Sequence, residues 1–251
     1  MKQFPLIFRH FLFRSFRDPM SIIFFLLLPM GLIILNTVIS FAQMEELGDG
    51  RVVEQATAMV TLFMLAFQFF SSDILIYNVY DDIRGTVRPR LLASPVAPQL
   101  FFFGAMASSW VFNLVQAALI LGVSALFLDL SFGVIWVLLV TVLLVSMIAQ
   151  LIALLLTQVA KTRKVASGVL QGLCFLFMLL SGVLFIPLGD SAVAQFVMQY
   201  GSPLGVAWHT LMYSGVIETD MNQVFLNLGI LGGMVAVLLV AVFAVKGRIN
   251  A

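Results

Sequence analysis

Long apolar stretches alternate with short charged loops along this chain. A helix needs about 20 mostly apolar residues to cross the roughly 30 Å of hydrocarbon in a bilayer. Six stretches meet that length: Ser21 to Phe41, Ala56 to Tyr77, Leu100 to Phe127, Phe132 to Ala160, Val165 to Pro187, and Phe225 to Val245. The pattern therefore predicts an all-α integral membrane protein with six transmembrane helices.

The segment before the first apolar stretch predicts a helix of another kind, with two chemically different faces. Apolar residues recur at helical spacing on one face, and basic residues lie on the other. The apolar set is Phe4, Phe8, Phe11 and Leu12, and the basic set is Arg9, His10, Arg14 and Arg17. We interpret residues 1–18 as an amphipathic helix at the membrane interface. The alternative is a basic flank that only fixes orientation.

A seventh uncharged stretch, Ser191 to Ile217, does not read as a span. Gly201, Ser202 and Pro203 divide it into two pieces that are each too short to cross a bilayer. Non-helical backbone at membrane depth must be covered by protein or line a wet cavity. We therefore expect residues 188–220 to form an external re-entrant helical hairpin between helices 5 and 6.

The distribution of charge predicts the orientation of the spans. Of the 13 Lys and Arg residues, all but Arg51 fall in four clusters: Lys2/Arg9/Arg14/Arg17, Arg84/Arg88/Arg90, Lys161/Arg163/Lys164 and Lys246/Arg248. Short basic loops stay in the cytoplasm, so both termini and the loops after spans 2 and 4 are assigned there. Most carboxylates fall on the other side: Glu45, Glu46, Asp49, Glu54, Asp129, Asp190, Glu218 and Asp220.

Composition argues against soluble, catalytic and nucleic-acid-binding proteins. The chain is 62% hydrophobic and 10% charged, with a mean hydropathy of +1.11. Its two histidines, His10 and His209, have no second metal-ligand residue at suitable spacing, and no Gly-Lys pair of a nucleotide-cradling loop occurs. We therefore expect no catalytic or metal site, and we expect the lone Cys174 to be a buried packing residue.

Two further features lie within the predicted spans. Asp73 is the one carboxylate placed inside a span, and it is interpreted either as a gate in a translocation path or as a carboxylate that reaches the interface or bonds to a neighbouring helix. Gly168-x-x-x-Gly172 and Gly229-x-x-x-Gly233 predict faces for close helix approach. The scarcity of intramembrane charge disfavours a secondary transporter or channel.

Three motifs carry a resemblance to a known family. The loop after span 2 has an acidic and basic run from Asp81 to Arg84, then Gly85-Thr86, then a segment ending in Leu91-Leu92-Ala93-Ser94-Pro95. Span 5 ends in Ser181-Gly182-x-x-Phe185-x-Pro187, and the hairpin contains Ser202-Pro203-Leu204. In this order and spacing, the chain resembles the permease subunits of ABC-2 type exporters. It departs from that pattern at Ile83, Arg88, Pro89, Ser202 and Gly205.

The resemblance implies partners and roles. Two permease copies or paralogues would form the pore, and separate ATP-binding cassette subunits would bind ATP and Mg²⁺, so this chain would hold no cofactor. Residues 81–95 would be the coupling loop, with Asp81, Arg84, Gly85, Thr86, Leu91, Leu92 and Pro95 at the ATPase. Lys161, Arg163 and Lys164 would make a second cytoplasmic contact, and residues 1–18 would be the connecting helix. Pro187, Pro203 and His209 would belong to the external hairpin.

The resemblance also sets the expected location and cargo. The chain would lie in the plasma membrane of a bacterial or archaeal cell, with lipids as partners and no role with nucleic acid. Minimal loops and apolar spans favour export of a lipophilic or amphipathic compound, such as a drug, an antibiotic or a lipid-like molecule. The alternatives are a secondary transporter or channel, or a membrane factor for assembly or export of a polysaccharide or cofactor.

Overall fold

A computed structural model describes residues 3–35, 52–84, 89, 93, 98–128, 132–182, 191–216 and 219–249. Within these ranges the chain is almost entirely helical, apart from turns and an isolated bridge between Ser214 and Thr219. The predicted all-α fold is therefore confirmed for the described part of the chain.

Ten helical segments follow one another in the described sequence. They are α1 (Gln3–Arg17), α2 (residues 19–35, with a π-helical stretch at Ile23–Leu27), α3 (Val52–Ser71), α4 (Asp73–Arg84), α5 (Pro98–Leu128), α6 (Ile135–Val159), α7 (Arg163–Leu180), α8 (Ala192–Tyr200), α9 (Pro203–Met212) and α10 (Met221–Ile249). The π-helical stretch ends two residues before Pro29, and the N–H of the intervening Leu28 donates to the Ile23 carbonyl. A proline ring clashes with the carbonyl four residues earlier in a regular α-helix, so a wider turn at this point relieves that clash.

Five helical stretches are long and apolar enough to cross a membrane: Ala56–Tyr80, Leu100–Leu126, Ile135–Val159, Arg163–Leu180 and Met221–Val245. They match predicted spans 2 to 6. The first predicted span, Ser21 to Phe41, is helical as far as residue 35, and its remainder lies outside the described residues. The chain is thus a multi-pass membrane protein.

Helix α6 occupies the centre of the bundle. It contacts α3, α4, α5, α7, α9 and α10, and its buried residues include Leu138, Val145, Ile148 and Leu151. By contrast, α7 and α10 expose long apolar faces that include Phe175 and Phe243. A helix that is apolar on its outward face as well as its inward face fits a lipid environment or a second protein.

The predicted N-terminal helix is present as α1, and it packs along α5. Phe11 is buried and lies edge-on to Phe101, with 5.0 Å between ring centroids. The absence of a side chain at Gly104 allows this approach, because a Cβ there would lie 2.6 Å from Cγ2 of Ile7. The predicted two-faced pattern is only partly correct. Phe4 is 37% exposed, and the buried stripe includes Ser15 as well as Phe11.

The hydropathy pattern predicts the second span as one continuous helix. In the structure this span is interrupted at Ser72, between α3 and α4. The hydroxyl of Ser71 donates to the carbonyl of Phe67 at 2.7 Å, and that of Ser72 donates to the carbonyl of Gln68 at 2.7 Å. Serine hydroxyls that bond back to the preceding turn bend helices. The break therefore follows from two consecutive serines.

A buried polar network centred on Asn113 of α5 stabilises this break. The Asn113 side-chain NH₂ donates to the Gln68 carbonyl at 3.1 Å and lies 3.2 Å from both the Ser72 and Ser146 hydroxyl oxygens. Its side-chain oxygen lies 2.8 Å from the Ser71 hydroxyl oxygen, whose single proton is shared with the Phe67 carbonyl. Since Ser146 belongs to α6, one asparagine joins three spans at the point where the helical backbone is interrupted.

The uncharged stretch after span 5 divides where its sequence predicts. Helix α8 ends at Tyr200, and α9 begins at Pro203 with Ser202 as its N-cap, whose hydroxyl accepts from the Gly205 N–H at 2.9 Å. A Cβ at Gly205 would collide with the carbonyl oxygen of Met198. The departure from the family pattern at Gly205 thus permits a tight turn between the two helices.

The two small-residue faces do not pack inside the described chain. A Cβ added at Gly168, Gly172, Gly229 or Gly233 would meet nothing within 4 Å. These faces therefore make no close helix–helix contact within the described ranges, contrary to the simplest expectation from their spacing.

The Asn113 network predicts a specific loss of stability. Replacing Asn113 with Leu keeps the size of the side chain but removes its hydrogen bonds to α3, Ser72 and α6. Because hydrogen bonds between membrane helices contribute about 0.6 kcal/mol each, we expect the free energy of unfolding to fall by about 2 kcal/mol. Thermal unfolding in detergent measures this change.

The matched control for this substitution is Gln171→Met. Gln171 is exposed on α7 and bonds only locally, to the Ser167 hydroxyl at 3.4 Å. Its replacement should change stability by less than about 0.5 kcal/mol. Equal effects of the two substitutions would contradict a stabilising role for the network.

Candidate functional site

Three of the segments that carry basic clusters meet at one end of the helical bundle. They are the C-terminal half of α1, the C-terminal half of α4, and the turn 160–162 together with the start of α7. The side chains that connect them form what we call the charged cluster: Arg14 and Ser15 from α1, Tyr77, Asn78, Tyr80 and Asp82 from α4, Lys161 from the turn and Arg163 from the first position of α7. Segments distant in sequence are thereby joined.

Helix α1 is attached to α4 by one ion pair and one buried hydrogen bond. Arg14 Nη1 lies 3.4 Å from Asp82 Oδ2 at a partly exposed position. One turn earlier on α4, the Asn78 side-chain NH₂ donates to the Ser15 hydroxyl at 3.1 Å, and both residues are buried. The hydrogen bond fixes the register of α1 on α4, because buried polar groups need their partners.

Helix α4 is attached to the turn after α6 by two tyrosines. The Tyr80 hydroxyl donates to the backbone carbonyl of Lys161 at 2.5 Å. The Arg163 guanidinium lies 4.6 Å from the centre of the Tyr77 ring, and that of Arg14 lies 5.9 Å from it. A cation within about 6 Å of an aromatic ring is attracted to its face. Tyr77 thus lies beside cations from two other segments.

Asp73 begins α4 and is half-buried. Its carboxylate accepts a hydrogen bond from the Ser167 hydroxyl on α7 and is attracted electrostatically to the Arg163 guanidinium. Of the five candidate spans, Ala56–Tyr80 is the one that carries a carboxylate. Asp73 therefore links α4 to α7 on the membrane side of the charged cluster.

A cavity of about 540 Å³ opens beside the charged cluster, between α1 and α4. Its walls include the side chains of His10, Arg14, Arg17, Asp18, Tyr77 and Asn78. Basic groups therefore predominate on this surface.

The predicted coupling loop is only partly within the described residues. Asp81 and Arg84 belong to the last turn of α4, whereas Gly85, Thr86, Leu91, Leu92 and Pro95 lie outside the described ranges. The Ala93 N–H donates to the Pro89 carbonyl at 3.0 Å. This is helical spacing, with the proline at the N-terminal end of the turn, where its missing N–H is tolerated. Lys164, from the predicted second contact, is exposed in the first turn of α7.

The short helices α8 and α9 lie at the opposite end of the bundle from the charged cluster. Trp208 Nε1–H donates to the Ala58 carbonyl at the start of α3, at 3.0 Å. The Ser202 hydroxyl donates to the Phe177 carbonyl near the end of α7, at 3.2 Å. Pro203 is buried at the first position of α9, while Pro187 lies outside the described residues.

His209 lines a second polar cavity, of about 370 Å³, formed with α8. The other polar side chains in its walls are Ser181, Gln195, Gln199, Trp208 and Tyr213. Burial lowers the pKa of His209 to about 4, so its imidazole is neutral at pH 7. It can exchange hydrogen bonds there but carries no charge.

No cluster of three or more His, Cys, Asp or Glu residues that could hold a metal ion occurs in the described part of the chain. The side chains at the charged end instead form an ion pair, two hydrogen bonds and contacts between cations and an aromatic ring. Sequence reasoning identified Asp73, Lys161 and Arg163 but missed Ser15, Tyr77, Asn78 and Tyr80. The available signal was the pair of tyrosines and the asparagine in the last two turns before the acidic residues of α4.

Comparison with protein families gives a match over most of the chain. Residues 2–216 match the family described as ABC-2 type transporter. No curated protein matches the sequence. The family match includes the charged cluster, the predicted coupling loop and the helices α8 and α9, and five helices have the length and composition of membrane spans. The chain therefore belongs to the ABC-2 type transporter family and is a membrane permease of that family.

Proposed function

We propose that this chain is the permease subunit of an ATP-driven exporter, and that the charged cluster receives the movement of a separate ATP-binding cassette subunit. The observation that carries the proposal is the joining of three segments at one end of the bundle by the Arg14–Asp82, Asn78–Ser15 and Tyr80–Lys161 contacts. A push on any of these segments is transmitted to the other two.

The coupling loop would act through α4. Residues 81–95 begin in the last turn of α4, and that helix continues through Asp73 towards the break at Ser72. A short rigid element transmits a rigid-body displacement better than a mobile loop does. Movement of the loop would therefore reach the Asn113 network, where α3, α5 and α6 meet, and the Asp73–Ser167 contact with α7, which is a candidate gate.

ATP and Mg²⁺ would be bound by the partner subunit. The chain has no Gly-Lys pair of the kind found in nucleotide-cradling loops. Its contribution to the ATPase would be contact residues: Asp81, Arg84, Gly85, Thr86, Leu91, Leu92 and Pro95 from the loop, with Lys161, Arg163 and Lys164 as a second contact. The basic α1 would lie along the cytoplasmic leaflet beside them.

The pore would need a second permease copy or paralogue. The outward faces of α7 and α10 are apolar, and Gly168, Gly172, Gly229 and Gly233 lie open there. Small residues allow two membrane helices to approach closely. These faces support pairing with a second subunit in the plane of the membrane.

The cargo would be a lipophilic or amphipathic compound. The described spans carry one carboxylate, Asp73, and two cations, Arg163 and Lys164, at the start of one span, and otherwise offer apolar side chains with scattered amides and hydroxyls. Such a lining suits a molecule that partitions into the membrane better than it suits a long polar glycan. Residues 188–220 would form the external hairpin, with the cavity beside His209 near the exit.

The proposed six-span orientation places the charged cluster in the cytoplasm of a bacterial or archaeal cell. We expect Lys164→Cys, in a Cys174→Ala background, to react with a membrane-impermeant maleimide only after cells are permeabilised. Val193→Cys, at a residue 74% exposed on α8, should react in intact cells. Labelling of Lys164→Cys from outside would reverse the orientation and remove the basis for coupling.

The coupling loop provides the second prediction. Replacing both Leu91 and Leu92 with Asp should leave insertion intact but release the ATP-binding subunit. Burying an unpaired carboxylate in an apolar groove costs several kcal/mol, so the affinity should fall by at least about 100-fold. Co-purification of the two subunits and ATP-dependent export by reconstituted vesicles measure the effect.

The control for this experiment is the double substitution Leu91→Met/Leu92→Met. Methionine keeps the volume and the apolar character of leucine, so complex formation and export should stay within about twofold of the unmodified protein. If the Asp variant binds the ATP-binding subunit and exports as well as the Met variant, this loop is not the coupling element.

A further inference from the structure

An apolar cavity lies between α1, α5 and α6, apart from the charged cluster and from the cavity beside His209. It has a volume of about 350 Å³ and is lined by Phe4, Phe103, Met106, Ala107, Trp110, Met147, Gln150 and Leu151. Ligand cavities of this size hold small molecules or single lipid chains. We refer to it as the α5–α6 cavity.

The walls of the α5–α6 cavity exclude a charged ligand. None of its lining residues is Lys, Arg, His, Asp or Glu, and transfer of an unpaired charge into such surroundings is strongly unfavourable. Phe4 and Phe103, which lie on α1 and α5, are 37% and 45% exposed. The cavity is therefore open to the apolar surroundings of the helices.

Two of the lining residues have a buried polar atom without a hydrogen-bond partner. These atoms are the indole Nε1 of Trp110, a donor, and the amide Oε1 of Gln150, an acceptor. Gln150 is 1% exposed, and its Nε2 donates to the Ser109 hydroxyl at 2.8 Å. That bond holds the amide in place while its oxygen stays unpaired. Leaving a buried polar group without a partner is unfavourable, so a bound molecule that pairs with these two atoms would be stabilised.

A single hydroxyl group can satisfy both atoms, since its oxygen accepts and its proton is donated. We propose that the α5–α6 cavity binds an uncharged, mainly apolar molecule that carries one hydroxyl group, such as a long-chain alcohol or a neutral lipid. The hydroxyl accepts a hydrogen bond from Trp110 Nε1 and donates one to Gln150 Oε1. The apolar part fills the space between Phe103, Met106 and Leu151.

Photolabelling of the purified chain in nanodiscs tests this proposal. The probe is a dodecanol analogue with a diazirine in its chain, and the competitors are dodecanol and dodecane at equal membrane concentrations. We expect labelled peptides from residues 103–110 and 147–151. Dodecanol should compete about fivefold better than dodecane, which is the effect of roughly one net hydrogen bond.

Substitutions with matched controls locate the effect. Trp110→Phe and Gln150→Met should each remove the preference for dodecanol, whereas Trp136→Phe, on the exposed face of α6, should keep it. Ser109→Ala removes the bond that holds the Gln150 amide but keeps the acceptor oxygen, so it should weaken the preference less than Gln150→Met does. Ala107→Phe fills the cavity and should reduce labelling at least about fivefold, with thermal unfolding measured on every variant to confirm folding.

The proposal is wrong if dodecane competes as well as dodecanol, or if labelling is unchanged in Ala107→Phe. Because the assay uses the isolated chain without ATP, its outcome is independent of ATP-driven export. The source of the occupant is then decided by two measurements. If a hydroxyl-bearing lipid is extracted from the unmodified chain but not from Ala107→Phe, the occupant is a resident membrane lipid. If labelled dodecanol accumulates in vesicles only with ATP, the occupant is a transported compound. Either result supports the site.

Discussion

Polar groups inside a bilayer must be paired within the protein, because lipid offers them no hydrogen bonds. The arrangement of the helices depends on how the polar groups at the end of α3 are paired. There, the hydroxyls of Ser71 and Ser72 donate hydrogen bonds to carbonyls of the preceding turn. The Asn113 side chain forms hydrogen bonds with the groups around the interruption. Water is absent at this depth to replace those bonds. The network therefore fixes the direction in which α4 leaves the break.

The direction of α4 determines which side chains meet at the charged end. Tyr77, Asn78 and Tyr80 lie within about one turn of α4 and reach Arg163, Ser15 and the Lys161 carbonyl. The Arg14–Asp82 ion pair contributes little by itself, because partly exposed ion pairs are worth at most about 1 kcal/mol. Burial of Phe11 against α5 and the buried Asn78–Ser15 bond contribute more, so α1 stays in register even when salt screens the ion pair.

Features of the fold that depend on local sequence patterns could be predicted from the sequence alone. Apolar length identified the five candidate spans, and Gly201-Ser202-Pro203 located the division between α8 and α9, because glycine frees the backbone and proline removes a helical hydrogen bond wherever they occur. The interruption at Ser72 was missed, since hydropathy does not register a hydroxyl that bonds to its own helix. The packing of α1 on α5 was also missed, because it depends on the small size of Gly104, which lies 97 residues from Ile7, the residue that it faces.

Features that depend on other molecules were the least accessible from sequence. The spacing of Gly168 and Gly172 indicated a close helix contact, but no such contact forms within the described chain. Trp110 and Gln150 read as ordinary residues of apolar spans, and only their position around one cavity shows that a donor and an acceptor stay unpaired there. The charged cluster was predicted more fully, since its members Arg14, Lys161 and Arg163 were identified by their charge.

The central claim is that this chain transmits the work of ATP hydrolysis performed by another polypeptide. Vanadate trapping with a photoreactive, radiolabelled ATP analogue tests it most directly when applied to the complex purified from native membranes. The account predicts that the trapped nucleotide labels a co-purifying ATP-binding cassette subunit and leaves this chain unlabelled. Saturable labelling of this chain, or purification of an active exporter without any ATP-binding subunit, would contradict it.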